Sequence, residues 1–265
     1  MTEPASAPGE ARSLPVVRSA LLERFPSLIF GISTRAGGNS RGPYGLNLSF
    51  RVGDDRAAVQ ANRELFFGAL EVPLDRLAIP TQVHGARVLV AERAGTYDEC
   101  DGVVSDRRGL FLAISVADCV PLFLYDPVHE AVAALHAGWR GSRLGIVENG
   151  LREMRTRFGT SPGDLLAVIG QSAGACCYEV GEEVACQFEE RFVLRSVGSK
   201  PHLDLHGFHL DFLLASGVAR DRIELLTSCT ICHPAEFHSY RREREHSGRM
   251  MGVIGLAGGV LGAGK

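Results

Sequence analysis

LFLAISVADCVPLFLYDPVHEAVAALHAGWRG, residues 110–141, is the stretch whose reading decides the fold. It divides into three apolar runs of strand length, Leu110–Val116, Val120–Tyr125 and Glu130–Leu135, separated by turn-forming residues. Cys119 sits at the turn between the first two, and His136 stands where the third ends. The His-Ala-Gly-Trp-Arg-Gly segment then bends into a helical pattern over Arg143–Phe158, with Leu144, Val147, Leu151, Met154 and Phe158 at roughly one-turn intervals. Reactive side chains at strand ends beside a glycine-rich turn are where a rigid scaffold presents chemistry.

Working outward, Leu28–Ser33 fits a strand that enters a glycine-rich loop over residues 34–45. Asp55–Ala69 has helical spacing, with Val59, Asn62, Leu65, Phe66 and Ala69 on one face and Asp54 or Asp55 as cap. Leu77–Val83 and Arg87–Ala91 read as strands flanking His84-Gly85, and Gly102–Ser105 adds a short one. Beyond the central stretch, Asp164–Ile169 is a strand leading into the loop Gly170–Cys177. Glu182–Phe192 and Leu203–Ser216 read as helices; Ile223–Thr227, His238–Arg242 and Met250–Leu256 read as strands. Runs of strands with helices between them predict one α+β domain of mixed β-sheets flanked by helices. It spans 15–257, between a disordered Ala/Pro/Glu-rich start (1–14) and a loose tail (258–265).

Bulk properties narrow the function. A net charge of −3 gives no support to a nucleic-acid or membrane partner. The apolar C-terminal run is shorter than the ~20 residues a membrane-spanning helix needs. Seven cysteines without a basic-then-apolar leader point to free thiols in a reducing cytoplasm. No Walker lysine, no G-x-G-x-x-G after a strand and no G-x-S-x-G elbow occurs.

His84, Cys119 and His136 each fall at a strand end. Together they suit a zinc ion with a fourth position left for water or substrate; Cys119 and His136 alone would suit a thiolate–imidazolium pair. Spacing does not choose between these, or between either and unrelated half-buried side chains. Arg35, on a glycine-rich loop, and Arg140, in Gly-Trp-Arg-Gly, can each reach an oxyanion such as phosphate or stand as ordinary surface arginines. Cys229-Thr230-Ile231-Cys232-His233 matches a haem-attachment pattern, but that attachment occurs outside the cytoplasm. A zinc knuckle there would want a second C-x-x-C or H-x-x-H pair, so Cys229 and Cys232 read as structural thiols, and the adjacent Cys176 and Cys177 as wall residues. His202, His206 and His209 share a helix face, read as solvated.

Eight motifs then appear in order: Thr-Arg-Ala-Gly-Gly (34–38), Gly-Pro-Tyr-Gly-Leu-Asn-Leu (42–48), Val-Gly-Asp-Asp (52–55), Gln-Val-His-Gly (82–85), Val-Ala-Asp-Cys-Val-Pro (116–121), His-Ala-Gly-Trp-Arg-Gly (136–141), Cys-Tyr-Glu-Val-Gly (177–181), and Ser-Tyr-Arg-Arg with Ser-Gly-Arg-Met (239–242, 247–250). Over residues 28–256 the chain resembles the YfiH-like, or laccase-domain, family of purine nucleoside enzymes. The resemblance implies zinc held by His84, Cys119 and His136. It implies phosphorolysis of adenosine, inosine and S-methyl-5'-thioadenosine, and deamination of adenosine, with nucleosides and phosphate as the partners. Arg35 would lie beside the phosphate, with Asn47 and Arg140 as further substrate contacts. Asp118 would orient His84 or His136, or else cap a turn. Gln171 replaces a proline usual in the family, and Cys100 stands before Asp101-Gly102 where a small residue is usual. The competing expectations are a Cys119/His136 cysteine hydrolase or deamidase, and a non-catalytic partner-binding protein.

Overall fold

The computed structural model of the protein describes residues 14–195 and 200–258. The expected disordered start and loose tail lie, but for Leu14 and Gly258, outside the described residues. The strands are β1 (Val16–Val17), β2 (Leu28–Ser33), β3 (Leu77–Pro80), β4 (Val88–Val90), β5 (Gly95–Tyr97), β6 (Gly102–Ser105) and β7 (Phe111–Val116). They continue with β8 (Val120–Asp126), β9 (Ala131–Ala137), β10 (Leu166–Ile169), β11 (Val193–Leu194), β12 (His202–Leu203), β13 (Ile223–Leu225) and β14 (Met250–Leu256). The α-helices are α1 (Arg56–Gly68), α2 (Trp139–Arg143), α3 (Ile146–Phe158), α4 (Glu182–Ala185), α5 (Leu205–Ala215) and α6 (Tyr240–Glu243).

Two six-stranded sheets form, ordered β1-β2-β14-β7-β3-β5 and β13-β10-β8-β9-β6-β4, with β11 and β12 as a separate pair. Pairing is antiparallel through β2, β14 and β7 and through β10, β8, β9 and β6. The edge strand β1 is antiparallel to β2, and the pairing is parallel toward the other three edges, where β3 joins β7 and β5, β4 joins β6, and β10 joins β13. This is the mixed α+β domain expected.

The period-2 alternation of each strand explains the layers. Leu112 and Ile114 of β7 meet Phe123 and Tyr125 of β8 and Val132 and Ala134 of β9 in a core between the sheets. Phe111 and Ala113, on the other face of β7, pack with Met251, Val253 and the Phe66–Phe67 pair of α1. Leu122, Leu124 and Leu135 face outward from the second sheet against Ile146, Val147 and Met154 of α3 and Leu213 of α5. Both faces of the central strands are therefore covered, so their sequences read as unbroken apolar runs. Leu122 is fully buried, and its truncation to alanine would cost about 2–5 kcal/mol. No helix among the described residues is long and apolar enough to cross a membrane.

Several elements differ from expectation. The helix expected over 143–158 is two: Gly145 at φ 82° breaks the chain between α2 and α3, and Leu144 is left 65% exposed. The helix expected over 182–192 shrinks to α4 and a 3-10 turn at Glu190–Phe192. The strand expected over 238–242 is instead α6, started by the Ser239 side chain accepting from the Arg242 N–H at 3.2 Å. Asp55 does cap α1, accepting from Ala58 N at 2.9 Å. The α5 histidines are not solvated: His206 and His209 are buried, with Nε2 atoms 3.0 Å from Ser172 Oγ and 2.8 Å from Ser142 Oγ. Burial holds His209 neutral, its pKa pushed down to about 3. His202, in β12, bonds the Ala175 carbonyl instead. The two serine bonds pin the loop after β10 and the end of α2 to one helix, α5.

Candidate metal and active site

Three elements converge at one end of the sandwich. His84 lies in the turn after β3, Cys119 immediately precedes β8, and His136 is near the end of β9. His136 has the same parity as Val132 and Ala134, so it points between the sheets. The ligand atoms of the three residues lie within 4.8 Å of one another, and the two imidazoles meet edge to face at 5.0 Å. Their exposure is graded: His84 exposed, Cys119 half-buried, His136 buried.

A residue whose role the sequence reading missed holds this arrangement. Asp101 is fully buried. Its carboxylate accepts from the N–H groups of Val83, His84 and Gly85 at 3.1, 2.9 and 2.7 Å, and from His136 Nδ1 at 2.7 Å. One carboxylate thus shapes the turn that carries His84 and orients the His136 ring, leaving Nε2 toward Cys119. Burial alone would raise its pKa; the bonds from His136, Gly85 and Val83 outweigh that and hold it ionised. Three converging backbone donors leave no mark in sequence, so nothing in Cys-Asp-Gly at 100–102 points to this role.

Two non-glycine residues beside these donors adopt left-handed backbone, His84 at φ 60° and Asp118 at φ 83°. Such residues cost on the order of 1–3 kcal/mol each and persist where surroundings over-determine them. For His84 the restraint is the Asp101 cradle. Asp118 accepts from Thr230 Oγ1 and Arg241 N, both at 2.6 Å, and its carbonyl accepts from Ala173 N at 2.9 Å. Asp118 therefore ties the C-terminal segment over the site, while the histidine-orienting role expected for it falls to Asp101. Close packing explains the glycines of His-Ala-Gly-Trp-Arg-Gly: a Cβ on Gly138 would stand 2.9 Å from Cys119 Sγ, and one on Gly141 would stand 2.5 Å from the Gly85 carbonyl.

The electrostatics follow the geometry. Burial would raise the Cys119 thiol, but the charge and hydrogen bonds of His136 and His84 outweigh it and hold the thiol well below its ordinary value. Burial would lower His136, but the Cys119 thiolate and Asp101 raise it. Arg249 and Tyr178 lie within electrostatic reach of Cys119, and Arg140 and Arg241 within reach of Tyr178. These positive groups came together through the fold, from segments far apart in sequence. Arg241 lies over the Tyr178 ring and Arg249 over Tyr240, at 5.4 and 5.3 Å from the centroids.

The expected anion contacts divide sharply. Asn47 is fully buried, and its amide is spent on Ser49, Asp54 and Arg249 N, so it holds a loop. Arg35 Nη1 bonds Glu243 Oε1 at 2.5 Å and the Pro234 carbonyl at 2.9 Å, while Nη2 bonds the Pro43 carbonyl at 2.8 Å. These bonds take three of its five N–H donors and fix the guanidinium in place. Arg140 is exposed and stacked 4.6 Å over Trp139, and its guanidinium hydrogen-bonds none of the described residues.

The three donors fit a metal ion: two imidazoles and a thiolate, preset by a buried carboxylate, with His84 at the surface. A second donor group, Cys176, Cys177, Cys229 and Cys232, is also within 4.8 Å mutually. Its halves lie more than fifty residues apart in sequence.

Known proteins share this arrangement of chain. A family profile described as "Multi-copper polyphenol oxidoreductase laccase" matches residues 29–257. The protein named purine nucleoside phosphorylase YlmD of Geobacillus stearothermophilus is 36% identical, covering 87% of this chain and 91% of its own. One named purine nucleoside phosphorylase in Deinococcus radiodurans is 39% identical, covering 93% and 94%. The crystal structure of YlmD from Geobacillus stearothermophilus superposes with a TM-score of 0.86 at 32% identity, covering 95% of this chain and 98% of that one.

Proposed function

Since the chain belongs to this laccase-domain family, and its relatives are named purine nucleoside phosphorylases, we propose that it splits purine nucleosides with phosphate at the His84–Cys119–His136 centre. The observation that supports this most is the convergence of those three donor atoms within 4.8 Å. The substrates we assign are adenosine, inosine and S-methyl-5'-thioadenosine, giving free base and the ribose or methylthioribose 1-phosphate. Hydrolytic deamination of adenosine to inosine is the second activity. The free thiols suit a reducing cytoplasm.

The ion we assign to the centre is zinc, which when bound there would supply a Lewis acid with one open coordination position. The family's description speaks of copper, but a multicopper oxidase needs about ten copper ligands, largely in His-x-His pairs. This chain has nine histidines and no His-x-His.

In phosphorolysis the bond from ribose C1' to the purine nitrogen breaks as a phosphate oxygen bonds C1'. The residues here must hold an anion against a sugar that becomes positively charged. Among the described residues, no hydrogen bond engages the Arg140 guanidinium, which stacks on Trp139, and the Arg249 guanidinium bonds only through Nη1, to the Ser247 and Gly248 carbonyls. We assign phosphate to these two, with parallel N–H bonds to its oxygens. Asp101 fixes the tautomer of His136 and the conformation of the His84 turn before substrate arrives.

A second reading has its own support: the lowered thiol of Cys119 beside a raised His136 is the pairing a cysteine hydrolase uses. One experiment separates the two. Purified protein is given adenosine with and without phosphate, and adenine, ribose 1-phosphate, inosine and ammonia are measured alongside bound metal. Phosphate-dependent adenine release that disappears with the metal supports the phosphorylase. Metal-free protein with full activity would support the dyad, and no turnover of any nucleoside by metal-loaded protein would end the proposal.

A further inference from the structure

Cys176 and Cys177 leave the loop after β10, and Cys229 and Cys232 stand in the turn after β13. The two segments run side by side: Ser172 and Cys229 form a parallel bridge, and Thr230 N donates to the Ser172 carbonyl at 2.9 Å. This places Cys232 Sγ 3.5 Å from Cys176 Sγ and 3.2 Å from Cys177 Sγ. All four sulfurs lie within 4.8 Å of one another. A tetrahedron of sulfurs about 2.3 Å from a central ion has edges of about 3.8 Å, so the observed spacing needs only a small adjustment to enclose one. The N–H groups of Gly174, Ile231 and Cys232 converge on the Cys229 sulfur, with Gly174 N at 3.3 Å. Ile231 and Cys232 are the second and third residues after Cys229. Backbone donors in those positions stabilise a sulfur carrying negative charge and hold the C-x-x-C turn in the shape that presents both its sulfurs to one point.

We propose that Cys176, Cys177, Cys229 and Cys232 form a second metal site, a closed four-sulfur site for one thiophilic divalent transition ion of the zinc or iron class. Four protein ligands leave no open position, so the role of the site is to join two segments. No ligand is shared with the His84–Cys119–His136 centre. The joined segments are those that enclose that centre: Thr230, inside the C-x-x-C turn, bonds Asp118, and Arg242 donates to the Thr230 and Ile231 carbonyls. The adjacent cysteines read as wall residues supply the second pair that a zinc knuckle requires; the fold brings it from more than fifty residues away.

The test counts metal and maps thiols, independently of nucleoside turnover. Full-length protein prepared under reducing conditions with zinc should carry about two equivalents of metal per chain by elemental analysis, and Cys232→Ser should carry about one. Because that variant can fail to fold, the wild-type protein is also alkylated with iodoacetamide and mapped by peptide mass. Cys186 is exposed and lies outside both clusters, so it is the internal reference. In metal-loaded protein the exposed Cys176 and Cys232 should react at least about tenfold more slowly than Cys186, and at comparable rates after chelation. Zinc or iron at the four sulfurs supports the site. One metal per chain in the wild type, a Cys177–Cys232 disulfide in protein purified under reducing conditions, or alkylation of Cys176 and Cys232 that ignores metal would overturn it.

Discussion

The chain carries two clusters of metal-capable donors, and they are built on opposite plans. His84, Cys119 and His136 sit at the ends of β-structure, with a fully buried Asp101 behind them and His84 open to solvent. The four cysteines sit in two loops, three of them at or near the surface, with backbone N–H groups in place of a supporting carboxylate. With a metal bound as proposed, the first plan would fix the rings and leave a position for substrate, and the second would spend every donor on joining chain to chain. Between them runs α6, whose Arg241 N–H bonds Asp118 beside Cys119 and whose Arg242 guanidinium bonds the C-x-x-C turn. Donor number and support, more than residue type, separate a site that does chemistry from one that holds shape.

The contrast is sharpest in the loss of one sulfur from each cluster. Cys119→Ala should lower phosphorolysis by about a thousandfold or more and remove one metal while leaving the fold intact by circular dichroism. Cys232→Ser should appear chiefly as lost stability. A metal cross-link of this kind acts like a disulfide of about 2–4 kcal/mol, so the Tm should fall by about 5–10 °C. Equal effects of the two substitutions on Tm and on turnover would erase the distinction.

Asp101→Asn tests the support beneath the open site. It keeps the shape but removes the charge that three N–H groups and His136 Nδ1 share. Metal affinity, measured by competition with a chromophoric chelator, should drop about 10–100-fold. An unchanged affinity would show that the carboxylate only folds the turn.

Smaller effects separate the arginines. Arg140→Ala should raise the KM for phosphate about tenfold with little change in Tm. Arg35→Ala should do the reverse, because its guanidinium is committed to Glu243 and two carbonyls. If Arg35→Ala raises the phosphate KM as much as Arg140→Ala, the arginine does meet phosphate.

The Arg35–Glu243 pair also carries a pH signature. Burial would raise the Glu243 carboxyl, but the nearness of His238, the Arg242 hydrogen bond and the Arg35 and Arg242 charges outweigh it and bring the pKa to about 2. A depressed folded-state pKa means stability present above the unfolded value of 4.5 and lost as pH falls toward 2. The upper bound is roughly 3 kcal/mol. Urea unfolding of wild type and Glu243→Gln should therefore differ most near pH 6 and converge as pH approaches 2. A constant difference across that range would remove Glu243 from the account.

Much of this was legible in the sequence. The central strands stood out because both their faces are buried, and β6 and β14 were bounded to the residue. His84, Cys119 and His136 could be nominated because each ends an apolar run beside a turn. Asp101 could not, since its partners are backbone groups defined only once the turn exists. The sulfur cluster was hidden for a related reason: Cys176-Cys177 and the C-x-x-C turn become neighbours only when β10 pairs with β13. Gly145 looked like one residue within a helix until its positive φ broke α2 from α3. The α6 helix is too short to show a period in sequence.

The central claim, phosphorolysis at the His84–Cys119–His136 centre, is tested most directly by one assay. Metal-loaded protein is mixed with adenosine and inorganic phosphate, and ribose 1-phosphate is measured against a phosphate-free control and the Cys119→Ala protein. The account predicts ribose 1-phosphate and adenine in equal amounts from the wild type, and neither from the variant. Ribose 1-phosphate formed equally by Cys119→Ala, or none formed by the metal-loaded wild type, would contradict it.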